Sequence, residues 1–182
     1  GICIEPGRSS SDLVKSRRCR IVPVCVGDDE FHNKIVRFRQ RVPSEISTTF
    51  FDESTGVFEA DPGNFEDRNK ICRTLDSVLL ENNSPKKISY LSIDTEGSEY
   101  RVIKDFPFRD WDISAITIAH NVYLDSPLSS SNRKKIKKCL ERHGYVLVKE
   151  FSLHELEMSN WGSDFSDGIL EDCYLKAEIK LK

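Results

Sequence analysis

"ISYLSIDTEGSEYRVI", residues 88–103, carries an apolar run of strand formers that stops on Asp94, followed by Glu96 and Glu99 around a single glycine, Gly97. The run predicts a buried strand ending at Asp94. The following "SEYRVIKDF" predicts a helix with Tyr100, Val102 and Ile103 turned inward, because apolar residues recur at the helical period. A carboxylate placed directly after such a strand sits at the rim of the core, where desolvation is costly without a partner. Asp94 is therefore read as a functional group. Glu99 falls in the first helical turn and is read as stabilising the helix dipole, and capping explains part of the acidity of Asp94 and Glu96 as well.

Working outward, strands and helices alternate. "GICIEP" (1–6) reads as a strand, "GRSSSDLVKSRR" (7–18) as a short serine-capped helix, and "CRIVPVCVGDD" (19–29) as a second strand, which together form a β-α-β unit and predict a parallel sheet. "KIVRFRQRV" (34–42) alternates, and "STTFFDESTGVFEA" (47–60) adds strand formers, so an antiparallel insertion is expected around residues 31–60. "DPGNFEDR" (61–68) reads as a loop. "TLDSVLLENN" (74–83) predicts a helix with Leu75, Val78 and Leu79 inward. "ISAITIAHN" (113–121) predicts a buried strand, and "SSSNRKKIKKCLERHG" (129–144) a helix stopped by Gly144. "YVLVKEF" (145–151) and "CYLKAEIKL" (173–181) predict two last strands, in a single domain spanning residues 1–182.

In an open parallel α/β sheet, ligands bind beyond the carboxyl ends of the strands. That rule selects Glu5, Gly27-Asp28, Asp94-Thr95-Glu96 and His120-Asn121. A carboxylate ending a β-α unit commonly accepts hydrogen bonds from a ribose hydroxyl pair, a role that suits Glu5.

Taken together, "YLSIDTEGSEYRVI" with "TLDSVLLENN" before it and "ITIAHN" one strand later resembles the FkbM-type methyltransferase family, whose signature is a strand ending in D-x-E-G-x-E. "GICIEP" resembles that family's second strand. The resemblance implies a class I, Rossmann-like α/β fold and an O-methyltransferase that uses S-adenosylmethionine on a hydroxyl of a sugar, a glycan or another small metabolite. It makes Glu5 the ribose-binding acid, sets Gly27 and Asp28 near the adenine, and turns Asp94 and Glu96 toward methyl donor and acceptor. His120 and Asn121 end the next strand, where the family usually has E-H-N, and Ala119 stands in place of the acid. The glycine-rich turn after the family's first strand has no counterpart, so the expectation is a domain truncated at its N-terminus. The alternative is a catalytically inactive module of the same fold that serves protein interaction or trafficking.

O-Methylation needs an in-line approach of the acceptor oxygen and a group that takes its proton. Either His120 serves as that base, or Asp94 and Glu96 orient the acceptor directly, or the two carboxylates hold a divalent cation that acidifies the hydroxyl.

The remaining features narrow the class. Over 182 residues, 38% hydrophobic and 31% charged, no apolar stretch reaches the roughly 20 residues of a membrane span. The net charge of −3 argues against a dedicated nucleic-acid binder. The six cysteines form no C-x-x-C pair and read as reduced thiols, which predicts a cytoplasmic protein, or a lumenal or membrane-anchored one if a segment precedes residue 1. Arg37, Arg39 and Arg41 read as a solvated strand face, Arg133, Lys134, Lys135, Lys137 and Lys138 as the outer face of their helix, and His143 and His154 as surface residues. Trp111 reads as a lid over a helix-to-strand corner, and Trp161 as part of a loop able to cover the acceptor pocket.

Overall fold

Two sheets of four strands and one of two, with three α-helices, make up the described part of the chain, a computed structural model covering residues 1–8, 18–41, 47–50, 64–120, 127–152 and 169–177. Most of the helix expected within 7–18, all of 51–63, Asn121, His154, Trp161 and the end of the last strand lie outside the described residues. The chain divides into two compact units, one of residues 1–84 with 101–106, the other of 85–100 with 107–182.

In the first unit, β1 (Ile2–Ile4) pairs in parallel with β2 (Arg20–Val22), as the β-α-β pattern predicts. The second expected strand does not run on to Gly27. It breaks at Pro23, which has no N–H to donate to a ladder, and resumes as β3 (Cys25–Gly27), which pairs in parallel with β6 (Phe65–Thr74) in another sheet. β4 (Ile35–Arg41) lies antiparallel between β6 and β5 (Ser47–Phe50). The expected antiparallel insertion is therefore present, but its third strand begins at Phe65, where a loop was expected. Cross-strand charge explains how so polar a segment holds a strand: Arg39 faces Asp67 in register and donates to it twice, at 2.7 and 2.9 Å. Arg37, which is exposed, also comes within 4.0 Å of Asp67, so these two arginines pair with β6 at a solvated face. Val36, Phe38, Cys25 and Cys72 form a buried cluster beneath it.

α1 (Leu75–Glu81) follows β6 directly and buries Leu75, Val78 and Leu79, as its spacing predicts. Thr74 caps it, its Oγ1 accepting from Ser77 N at 3.3 Å. Thr74→Ala is expected to lower stability by about 1 kcal/mol, read as a shift of the urea midpoint without a change in slope.

In the second unit the strand order is β7 (Lys87–Ile93), β8 (Asp112–Ala119), β10 (Ile169–Lys176), β9 (Tyr145–Ser152). β7 and β8 are parallel, whereas β10 runs antiparallel to both of its neighbours. Four of the seven described pairings are antiparallel, so the mostly parallel sheet expected from sequence gives way to small mixed sheets in an α/β fold. Ile93, Ile116, Ile118 and Tyr174 are buried in this unit. α3 (Pro127–Arg142) packs against β9 and turns Ile136 and Leu140 inward, with Lys134, Lys135, Lys137 and Lys138 exposed. Gly144, at φ +82°, ends it in the left-handed conformation that favours glycine. Trp111, read as a lid, is a core residue at 2% exposure, with the Lys86 ammonium 3.7 Å from its ring centroid. His143 is exposed and stacks on Phe108.

Candidate functional site

The acidic stretch after β7 is a built turn. Glu96 takes φ +53° and Gly97 φ +106°, so the chain reverses through two left-handed residues before α2 (Glu99–Ile103). Glycine carries the second at no steric cost, but glutamate at the first is strained, a cost that persists only where surrounding structure enforces it. The enforcing group is Glu99. Its Oε1 accepts from Thr95 N at 2.9 Å, Gly97 N at 3.0 Å and Thr95 Oγ1 at 3.3 Å. Ser98 Oγ donates to Thr95 O, and Asn132 Nδ2 of α3 donates to Gly97 O. Glu99 is thus an internal strut of the turn, a more specific role than the dipole stabilisation expected from its position, and it is buried at 2% exposure.

This scaffold presents Asp94 and Glu96. Asp94 reaches solvent on one side and is crowded by protein on the others. That crowding and the nearby Glu171 hold its carboxyl above the ordinary range, against the Glu96 backbone N–H, which favours the charged form. Burial, then Asp94, then Glu99, push the Glu96 carboxyl up to about 8. The turn thus places two carboxyls with raised pKa values side by side at the end of β7. Among the described residues no group of three or more His, Cys, Asp or Glu is arranged to hold a metal ion.

His120 follows β8 directly. Ile93 is in register with Ile118 across the parallel pair, so His120 emerges beside the Asp94 turn at the carboxyl ends of adjacent strands. Its backbone N–H donates to Leu170 O at 2.9 Å. The side chain is buried at 3% exposure, and among the described residues neither ring nitrogen has a hydrogen-bond partner. Nε2 lies 3.5 Å from Asp172 Oδ1, within ion-pair range but longer than a hydrogen bond should be.

Asp172, Glu171 and the anchoring Arg133 were not expected from sequence. Arg133 grips Asp172 in a bidentate contact, Nε to Oδ2 at 2.9 Å and Nη2 to Oδ1 at 2.7 Å, and also pairs with Glu150. Tyr174 donates its hydroxyl to Asp172 Oδ2 at 3.3 Å. Burial disfavours the charged form of Asp172, but His120 and Arg133 outweigh it and draw the carboxyl down to about 2. Strand parity was the signal available: Asp172 and Tyr174 share one face of "ILEDCYLK", and Tyr174 is the kind of residue that face buries.

The other expected site residues belong to the first unit. Glu5 Oε1 accepts from Gly7 N at 2.6 Å, and a Cβ at residue 7 would stand 2.7 Å from that oxygen, so a larger residue there would displace the Glu5 carboxylate. Gly27 ends β3, buried. Asp28 follows, its carboxylate fully buried, with Oδ2 held by Arg101 Nη1 and Lys104 Nζ, both at 2.7 Å. Burial opposes its ionisation, yet Lys104 and Arg101 together hold the carboxyl below its usual range. Asp28 Oδ1 is buried with no hydrogen-bond partner among the described residues, an acceptor that a ligand N–H would satisfy.

Asp94, Glu96 and His120 thus lie in one unit, and Glu5, Gly27 and Asp28 in the other. No curated protein and no solved structure matches the chain. The family model described as "Methyltransferase FkbM domain" matches residues 1–147, well over half of the sequence, and takes in every one of these residues. The chain belongs to the FkbM methyltransferase family.

Proposed function

We propose that this chain is an S-adenosylmethionine-dependent O-methyltransferase domain that acts on a hydroxyl of a sugar or another small metabolite. The observation that carries the reading is His120, a buried imidazole whose ring nitrogens have no hydrogen-bond partner among the described residues, set at the end of β8 beside the strained acidic turn that ends β7. A Rossmann-like arrangement is part of the same reading. Its support is the parallel pairing of β3 with β6 and of β7 with β8, with polar groups at the carboxyl ends of β3, β7 and β8.

Taken within each unit by itself, the residues offer partners for separate groups of that cofactor. Asp28 Oδ1, a buried acceptor without a hydrogen-bond partner among the described residues, matches an amine donor such as that of an adenine, and Glu5 matches a ribose hydroxyl. Asp94 and Glu96 supply negative charge for a ligand bearing a sulfonium and an ammonium group. When bound, S-adenosylmethionine supplies an electrophilic methyl group, so the protein's task is to orient the acceptor and accept its proton. His120 accepts that proton, while Asp94 and Glu96 hold the acceptor and the cationic donor in place.

Titration calorimetry of the full chain with S-adenosylmethionine tests this. Glu96 has a raised pKa near 8, and a cationic ligand favours its ionised form. Binding should therefore tighten as pH rises from 6 to 9, by at least about fivefold, and Glu96→Gln should remove that part of the dependence. No binding at millimolar cofactor ends the enzyme reading and leaves the interaction module.

A further inference from the structure

We propose that Asp172 is a positioning residue that fixes the tautomer of His120, so that the proton sits on Nε2 and the basic lone pair is on Nδ1. The proposal rests on the methyltransferase reading for its catalytic meaning, but its structural content stands on the geometry alone. Asp172 lies on β10, beyond the residues that the family model matches.

The carboxylate of Asp172 is saturated with donors on every side but one. Oδ2 receives Arg133 Nε and the Tyr174 hydroxyl, and Oδ1 receives Arg133 Nη2. The remaining capacity of Oδ1 faces His120 Nε2 at 3.5 Å. Gripped by a bidentate guanidinium, this carboxylate is ionised and acts only as an acceptor, so at ion-pair distance it favours hydrogen on the imidazole nitrogen facing it. A neutral ring has one N–H. With that hydrogen on Nε2, the lone pair belongs to Nδ1, which is buried and has no partner among the described residues. An unfilled buried acceptor is costly, and the donor that fills it here is the acceptor hydroxyl.

Arg133 has a second effect. By neutralising Asp172, and being itself shared with Glu150, it limits the negative charge that faces His120. In the reaction, His120 Nδ1 takes the hydroxyl proton as the oxygen bonds to the methyl carbon and the carbon–sulfur electron pair leaves with sulfur. The resulting imidazolium keeps its Nε2–H directed at Asp172. The arrangement follows the logic by which a buried carboxylate sets a catalytic imidazole's tautomer in hydrolases.

The test is the ring 15N spectrum of the full chain labelled at histidine, with His120 assigned by loss of its signals in His120→Gln. The expected result at pH 7.5 is the Nε2–H tautomer. In Asp172→Asn, an amide N–H can face Nε2, so the ring should switch to Nδ1–H and turnover should fall by about 10²-fold or more, with cofactor affinity unchanged in calorimetry. An Nδ1–H or doubly protonated ring in the native chain overturns the inference, as does an Asp172→Asn variant that folds and keeps both tautomer and turnover. If Asp172→Asn does not fold, the native spectrum decides alone. An Nε2–H ring in a chain that binds no S-adenosylmethionine upholds the tautomer assignment and defeats only the methyl-transfer reading.

Discussion

Replacing His120 by glutamine is expected to lower methyl transfer by about 10²- to 10⁴-fold, the usual contribution of a positioned general base. Glutamine is chosen because its amide N–H can still face Asp172, while an amide has no useful basicity. The buried Asp172–Arg133 pair thus loses neither member, and the fold should be retained to within about 1 kcal/mol. Because His120 is read as acting on the acceptor's proton, cofactor affinity should change little. Single-turnover measurements give the decisive number: a loss below tenfold with cofactor bound would transfer the base's role to Asp94 or Glu96. The raised carboxyl of Glu96, near 8, makes it the stronger of those two candidates.

The largest effect on stability is expected from Trp111→Ala. The indole is buried at the start of β8 with Lys86 over its ring. Removing a buried tryptophan forfeits both its transfer free energy and the contacts that line the resulting cavity, about 3–5 kcal/mol. That is a large fraction of the 5–15 kcal/mol by which a typical domain is stable. Urea unfolding followed by circular dichroism should show the midpoint fall accordingly, with the far-UV spectrum unchanged before the transition. A shift worth less than about 1 kcal/mol would mean that the ring is not a core element and would restore the reading of Trp111 as a cover.

Local pattern made several parts of the molecule legible. Apolar alternation and the 3.6-residue period located β7, β8, α1 and α3, and with them the strand ends that carry Asp94 and His120. These signals work because a side chain's burial in a regular element follows from its position in the repeat. The turn residues were equally readable, since Gly97 and Gly144 stand where the backbone takes positive φ.

What escaped the sequence depended on partners far along the chain. The polar stretch from Phe65 to Arg68 looked like a loop and is a strand, because β4 supplies both the ladder and the arginine that faces Asp67. Pro23 was visible, but only the pairing of β2 with β1 and of β3 with β6 makes it a break between sheets. Arg133 looked like one more cation on a solvated helix face. It is half-buried and anchors Asp172, 39 residues away, a pairing that exists only because β10 enters the sheet next to β8.

The sequence by itself determined which groups are available for chemistry, because strand and helix periodicity dictate where an apolar run must end and what polar residue ends it. Only the tertiary structure decided how those groups are held. The strut from Glu99 to the turn amides is a matter of short-range geometry, and the clasp on His120 brings together β8, β10 and α3. Directional contacts of a few ångströms between such segments leave no periodic trace in the order of residues.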